Sequence, residues 1–188
     1  MTEENIYPEA AVKTKTVGMM IGLILIVAFI SFYTFPKEIV RVQKAAILME
    51  DGSIRDTTIN IVGTLERPVF KPSKFSGEFT IEDIKATEEN TLLDLNVVQK
   101  KNGINMANWV YHSSNQPLEL KMPGIIWFDK DFGNISIQST NQWLEKSGDN
   151  DLQPIKIISP AVSFEQAAAV QAELANRFGS PLEPLQKE

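Results

Sequence analysis

An uncharged apolar run near the N-terminus constrains this chain more than any other feature. Residues 17–35, VGMMIGLILIVAFISFYTF, contain no Asp, Glu, Lys or Arg. As a helix with a rise of about 1.5 Å per residue, the run is about 28 Å long, close to the ~30 Å hydrocarbon core of a bilayer. Because a charge in that core is costly, the run predicts a transmembrane helix over residues 16–36, in contact with lipid through residues 17–35.

Two other interpretations of the run fit it less well. A buried helix of a soluble protein is the first, but soluble helices of five turns normally keep a polar face. A cleaved signal peptide is the second, because Lys13 and Lys15 precede the run. Signal peptides have an apolar core of about 7–15 residues followed by small residues at the cleavage site. This run is longer and ends in bulky side chains, so we predict an uncleaved signal anchor that ends at Pro36.

The orientation of the anchor rests on two opposing signals. Two basic residues precede the run and three follow it, at Lys37, Arg41 and Lys44, which slightly favours a C-terminal domain in the cytoplasm. A short N-terminal tail before a single span and a large C-terminal domain is instead typical of a signal-anchor protein with its domain outside. We predict a single-pass cell-membrane protein with an extracytoplasmic C-terminal domain, and keep the cytoplasm-facing orientation as the alternative.

Composition narrows the possible partners of the rest of the chain. Residues 37–188 carry 16 basic and 21 acidic side chains, a net charge of −5, so we expect no nucleic-acid partner. The chain has no cysteine, which excludes disulfides and thiol chemistry but leaves the compartment open.

Within the anchor, Gly18 and Gly22 form one small-xxx-small spacing, through which two such helices can self-associate.

Period-2 patterns and turn signals dominate the chain after the anchor. Gly77 lies inside one of these patterns, where it predicts a β-bulge or a close approach of another backbone. A short edge strand is expected at 118–122. The other expected strands are 38–49, 54–65, 75–81, 91–98, 104–112, 124–128, 134–139 and 154–158.

One helix is predicted outside the membrane. Ser163 can cap its N-terminus together with Gln166, and Gly179 can end it. The predicted fold class is therefore all-β or mainly β, with antiparallel hairpins in a sandwich- or barrel-like arrangement of eight or nine strands. One C-terminal α-helix follows the strands, and a single transmembrane α-helix precedes them. The predicted organisation is a polar tail at 1–15, the span at 16–36, one β-rich domain at 37–179 and a flexible tail at 180–188.

Catalytic and cofactor-binding motifs are absent from the sequence. The single histidine, His112, is expected at a strand edge facing water, and no glycine-rich phosphate loop or serine-nucleophile elbow occurs. Asp129, Asp131 and Asn134 could supply oxygens to Ca²⁺, but their spacing departs from the calcium-loop pattern and suits a hairpin turn. The polar run 149–151 has the same interpretation. We predict no catalytic, metal-binding or cofactor-binding residue and a protein that is not an enzyme.

Aromatic residues are the remaining candidates for a functional role. Four of them, Trp109, Tyr111, Trp127 and Trp143, are candidate binding residues, because an exposed aromatic row can stack on sugars or anchor a protein partner. The alternative is that they fill the core of the sheet. Strand alternation places Trp127 and Phe128 on opposite faces, so at least one of the two is expected to be exposed.

Three functions remain open at this point. The first is a non-enzymatic membrane-anchored protein whose β-rich domain is a binding or accessory module of a bacterial envelope assembly, with protein partners in the envelope. The second is a membrane-anchored hydrolase of an envelope polymer that uses carboxylates. The third is a scaffold or regulator that faces the cytoplasm. We favour the first because the anchor and the β pattern are clear and no catalytic motif occurs.

Overall fold

Strands form most of the chain that follows the apolar helix. We analysed a computed structural model, which describes residues 9–82, 84–113, 120–140 and 154–185. The elements in chain order are α1 (Glu9–Phe32), β1 (Lys37–Met49), β2 (Ile54–Glu66), β3 (Lys74–Ile81), α2 (Lys85–Glu89), β4 (Asn90–Leu92), β5 (Leu95–Lys101), β6 (Ile104–Ser113), β7 (Leu120–Asp129), β8 (Ile135–Thr140), β9 (Pro154–Ser159) and α3 (Phe164–Phe178).

Eight of the nine strands close into a barrel. Neighbouring strands follow the order β6-β5-β3-β2-β1-β9-β8-β7, and β7 pairs back onto β6. The ninth strand, β4, pairs with the end of β6 on the same side as β5. All of these pairings are antiparallel. The predicted mainly-β, barrel-like class with eight or nine strands is confirmed.

Two strand predictions differ from the structure. The predicted strand at 91–98 is divided into β4 and β5, because Leu93 and Asp94 belong to neither strand; the N–H of Leu93 still donates to the carbonyl of Val110 in β6. Of the predicted short edge strand at 118–122, the described residues 120–122 are the beginning of the longer strand β7; they pair with β6 alone, because the pairing of β7 with β8 starts at Gly124. Pro123 is tolerated in β7 because no described strand pairs with the β8 side of β7 at this point and the register with β6 shifts there, as at a β-bulge.

Aromatic side chains fill the barrel interior. An eight-stranded barrel is just wide enough for side chains to fill it. The Phe132 ring stacks on Phe128 with a centroid distance of 4.1 Å and lies 5.0 Å from Phe75. Phe79 and Trp109 continue this cluster with a centroid distance of 5.7 Å. The interior is therefore a packed core.

Helix α3 lies on the outside of the barrel. Ser163 accepts the N–H of Gln166 as its N-cap, and the N–H of Gly179 bonds to the carbonyl of Ala175 at the other end. The buried face of α3 covers outward residues of β1, β6, β7 and β9, among them Ala46, Ile104, Trp127 and Ile158. The predicted C-terminal helix is confirmed.

The first part of the predicted flexible tail packs against the helix. Leu182 is buried, and the side-chain amide of Gln171 donates to the carbonyl of Glu183 at 2.6 Å. Leu185 packs against the cluster formed by α3 and β1. Leu182, Glu183 and Leu185 therefore contact the region of α3, whose end has an apolar surface that they cover.

Helix α1 has the composition of a membrane span. Its window Lys15–Phe32 has a mean hydropathy of 2.2, and none of it is buried against the described part of the chain, unlike a core helix. The helix ends at Phe32, three residues before the end of the charge-free run, and Phe35 beyond it has a positive φ of 45°. Tyr33 stacks on Phe29 and contacts Phe35, so aromatic rings cluster where the helix ends.

Candidate functional site

The three described binding candidates of the sequence analysis lie in the core. Trp109 and Tyr111 are inside the barrel, and Trp127 is on its outer face beneath α3, with each side chain about 1% exposed. The expectation that Trp127 or Phe128 would be exposed is wrong, because the Phe178 ring of α3 covers Trp127 at a centroid distance of 6.5 Å. Trp143 lies outside the described residues, so its role remains a prediction.

In the acidic turn between β7 and β8, the side-chain oxygens of Asp129 and Asp131 take part in contacts that stabilise the turn. The carboxylate of Asp129 accepts the backbone N–H groups of Asp131, Gly133 and Asn134 at 2.7–3.2 Å. The Asp131 carboxylate pairs with Lys37, and this hydrogen bond lowers the pKa of Asp131. These contacts hold the turn over the barrel end, where Phe132 enters the core. In the described part of the chain, no group of three His, Cys, Asp or Glu side chains is placed to hold a metal; residues 149–151 lie outside it.

Among the described residues, every carboxyl group with a shifted pKa has a pKa below its ordinary value. The Ser53 hydrogen bonds lower the pKa of Asp51, and the Ser76 hydrogen bond lowers the pKa of Asp94. A general acid of a glycosidase needs a raised pKa, so these groups do not favour the hydrolase alternative.

His112 lies between β4 and β7 rather than at the expected strand edge.

A gap in strand pairing is the most distinctive feature of the barrel. β3 pairs with β2 along its whole length, but with β5 only through Lys74 and Phe75. Over residues 76–81 no described strand pairs with the other side of β3. Across the gap lie α2 and β4, and β4 pairs with β6 instead. We call the gap between residues 76–81 and the α2–β4 segment the seam.

Two glycines face each other where the seam begins. Gly77 of β3 is paired with Gly63 of β2 and has φ +154°, a value that side chains disfavour. A Cβ atom on Gly77 would stand 2.3 Å from the Val62 carbonyl oxygen, and one on Gly63 would stand 2.4 Å from the Ser76 carbonyl oxygen. The predicted close approach at Gly77 is confirmed, and it coincides with the point where β3 parts from β5.

The backbone of β3 presents free hydrogen-bonding groups to the seam. The carbonyl of Ser73 accepts the N–H of Val97 in β5, so the odd-numbered residues of β3 direct their N–H and C=O groups toward this side. The Thr87 hydroxyl bonds to the backbone of Ile81, and the Tyr111 hydroxyl donates to the carbonyl of Phe79. Both groups of Gly77 and the N–H of Phe79 remain without a described strand partner.

Acidic side chains surround this free edge. The seam encloses a groove of about 270 Å³ between β3 and the α2–β4 segment. Glu78, Glu88 and Glu89 line it, all three of them exposed to solvent. A groove with a free strand edge and an acidic rim suits an extended backbone that carries basic side chains.

A larger cavity of about 730 Å³ lies at the far end of the β1–β2 hairpin. Its apolar lining comes from Leu48, Ile54, Phe164 and Leu185. The carboxylate of Asp51, which also lines it, already accepts the N–H of Ser53 at 2.8 Å. The cavity is large enough for a small apolar molecule, but it lacks the free backbone edge that distinguishes the seam.

The sequence contains only a weak signal of the seam. Gly77 marked a close backbone approach, and Asp94 interrupts the apolar pattern where β4 and β5 separate. Neither residue shows by itself that two sequence-distant strands fail to meet. No family model, curated protein or solved structure matches this chain.

Proposed function

We propose that this chain is a non-enzymatic, single-pass membrane protein whose β-barrel domain is a binding module of a bacterial envelope assembly. In this proposal, an extended segment of a protein partner adds a strand to the free edge of β3. The single observation that carries the proposal is the edge of β3 at which both backbone groups of Gly77 and the N–H of Phe79 have no described strand partner.

The free groups have the spacing that strand addition requires. Gly77 and Phe79 are two residues apart, so the N–H and C=O of Gly77 and the N–H of Phe79 lie at the interval of a β-ladder, while the Phe79 carbonyl already accepts the Tyr111 hydroxyl. Gly77 is exposed and has no side chain to obstruct an incoming backbone. Main-chain bonds would supply affinity, and Glu78 and Glu88 would select basic side chains on the partner.

Placement outside the cytoplasm is the second part of the proposal. A short N-terminal tail, one apolar helix and a C-terminal domain form the usual layout of a signal-anchor protein. The seam runs from Ser76 toward Ile81, away from the end of β3 that lies nearest to α1. An anchored barrel would therefore present the seam toward partners in the envelope.

A peptide pair tests strand addition directly. The probe is an acetylated hexapeptide of alternating Lys and Val, added to the full chain in detergent micelles, with backbone amide shifts followed by NMR. We expect the amide signals of Gly77 and Phe79 to shift on titration. The control peptide has the same side chains with alternate nitrogens methylated, which removes the N–H donors of one edge.

The outcomes separate backbone pairing from charge attraction. Loss of binding by the methylated peptide supports strand addition, and the substitutions Glu78→Gln and Glu88→Gln should weaken the unmodified peptide. No shift at Gly77 and Phe79, or equal binding of both peptides, would contradict the proposal.

Cysteine labelling tests the sidedness. The chain has no native cysteine, so Ile54→Cys introduces a unique and partly exposed thiol at the far end of the β1–β2 hairpin. We expect a membrane-impermeant maleimide to label this thiol in intact cells. Labelling that requires lysis of the cells would instead support the cytoplasm-facing scaffold.

A further inference from the structure

Exposed apolar side chains gather at the end of the barrel domain that follows α1. Val69 and Phe70, in the loop between β2 and β3, are 55% and 69% exposed. Val40 and Val42 on the outer face of β1 are exposed as well, and Val62 of β2 is paired with Val40. A solvent-facing Phe at a loop tip is an unfavourable arrangement unless something covers it.

A hydrogen bond places this loop beside the end of α1. The backbone N–H of Arg67 donates to the carbonyl of Thr34 at 2.6 Å, and Thr34 is two residues beyond the last residue of α1. Phe70 follows Arg67 by three residues, so their Cα atoms are at most about 11 Å apart. The headgroup region on each side of a bilayer is about 5–8 Å thick, so the loop tip can reach it from this position.

The residues around the tip match those of membrane-surface contacts. Arg67 and Lys71 flank Val69 and Phe70 in the sequence, and Lys71 is exposed. Aromatic and aliphatic side chains insert at the boundary between acyl chains and headgroups, while neighbouring basic side chains interact with lipid phosphates. The ring cluster around Tyr33 at the end of α1 has the same interfacial character.

We propose that the tip formed by Val69 and Phe70 inserts into the headgroup region of the bilayer that α1 enters. The occupant of this exposed surface is lipid, because the loop is bonded to the segment that leaves the span. The contact fixes the barrel against the membrane instead of leaving it on a free tether. The inference rests on the membrane-anchor part of the proposed function and is independent of strand addition at the seam.

Site-specific fluorescence in nanodiscs tests the contact. Phe70→Cys in the full chain carries a nitrobenzoxadiazole label, with Val69→Cys as a second reporter position. The lipid is phosphatidylcholine with phosphatidylglycerol, with and without spin-labelled lipid. Ile54→Cys is the matched control, because Ile54 is also partly exposed but lies about 36 Å along β2 from the Leu65 end. We expect blue-shifted emission and quenching by spin-labelled lipid at 70 and 69, and neither at 54.

The contradicting result is emission and quenching at both tip positions equal to those at 54. Carbonate extraction of membranes from cells that express the same variants distinguishes the two ways to fail. Protein that stays in the membrane with an unquenched tip overturns the surface contact alone. Protein that is released by carbonate overturns the anchor, and the surface contact with it.

Discussion

At the scale of single residues, the absence of side chains at Gly63 and Gly77 is as important for the seam as the side chains that line it. The backbones of β2 and β3 approach so closely at Gly63 and Gly77 that a Cβ atom on either residue would overlap a carbonyl oxygen. The sequence of one strand alone does not reveal this approach, because it depends on a glycine in each of the two strands.

Gly77→Ala should therefore strongly destabilise the barrel. Overlap with the Val62 carbonyl and an unfavourable φ together should lower the free energy of unfolding by about 2–4 kcal/mol, measured by urea denaturation. Gly52→Ala is the matched control, because Gly52 also has positive φ (+80°) but a Cβ atom there would have no neighbour within 4 Å. The control should cost only about 1–2 kcal/mol. Equal effects of the two substitutions would contradict the close approach.

We expect Tyr111 to make the stability of the barrel sensitive to alkaline pH. Burial raises the pKa of the Tyr111 hydroxyl well above its ordinary value of 10.0, and the hydroxyl donates to the Phe79 carbonyl. Below pH 10 the folded and unfolded states both keep the proton. Above pH 10 the unfolded state loses it first, so the stability falls as pH rises, by up to about 1.4 kcal/mol per pH unit.

The substitution Tyr111→Phe isolates this contribution. It removes one buried hydrogen bond and should cost about 1–2 kcal/mol at neutral pH, measured by denaturant unfolding. The variant should also show a smaller loss of stability between pH 10 and 11 than the natural chain. An unchanged alkaline slope would show that another group causes the pH dependence.

At the scale of elements, helix α3 determines which outward-facing apolar residues of the sheet are buried. The outward residues Ile104, Trp127 and Ile158 are buried only because α3 lies over them. Strand alternation correctly separated Trp127 from Phe128, and the capping residues correctly bounded α3. Alternation within one strand does not show which outer surface a distant helix covers, so the exposure of these aromatics could not be predicted.

Phe178→Ala should measure how much α3 contributes. The Phe178 side chain is fully buried against Trp127, so its truncation should lower the free energy of unfolding by about 3–5 kcal/mol. The tryptophan emission of the folded variant should shift to the red as Trp127 gains contact with water. Asn176→Ala, at an exposed position of the same helix, should stay within about 0.5 kcal/mol of the natural chain. Similar losses in the two variants would contradict the packing of α3 on the barrel.

At the scale of the whole molecule, the apolar helix and the barrel have separate structural roles. None of the apolar window of α1 is buried against the described barrel, whose core closes through the pairing of β6 with β7. The barrel thus draws none of its core from the anchor.

A chain of residues 37–188 should accordingly fold without the anchor. We expect a cooperative thermal transition and a β-type circular dichroism spectrum, with a Tm within a few degrees of that of the full chain in micelles. Retention of the described fold by the shorter chain can be checked by the buried-tryptophan emission. A non-cooperative transition would show that α1 stabilises the barrel.

The sequence by itself determined the local features of this protein. Absence of charge over residues 17–35 indicated the apolar helix, and period-2 alternation with turn residues indicated the hairpins, because both depend on neighbours in the chain. Only the tertiary structure decided that the strands close into a barrel, that α3 covers Trp127 and that β3 keeps a free edge at Gly77. Those outcomes depend on contacts between distant residues, which a local pattern does not contain.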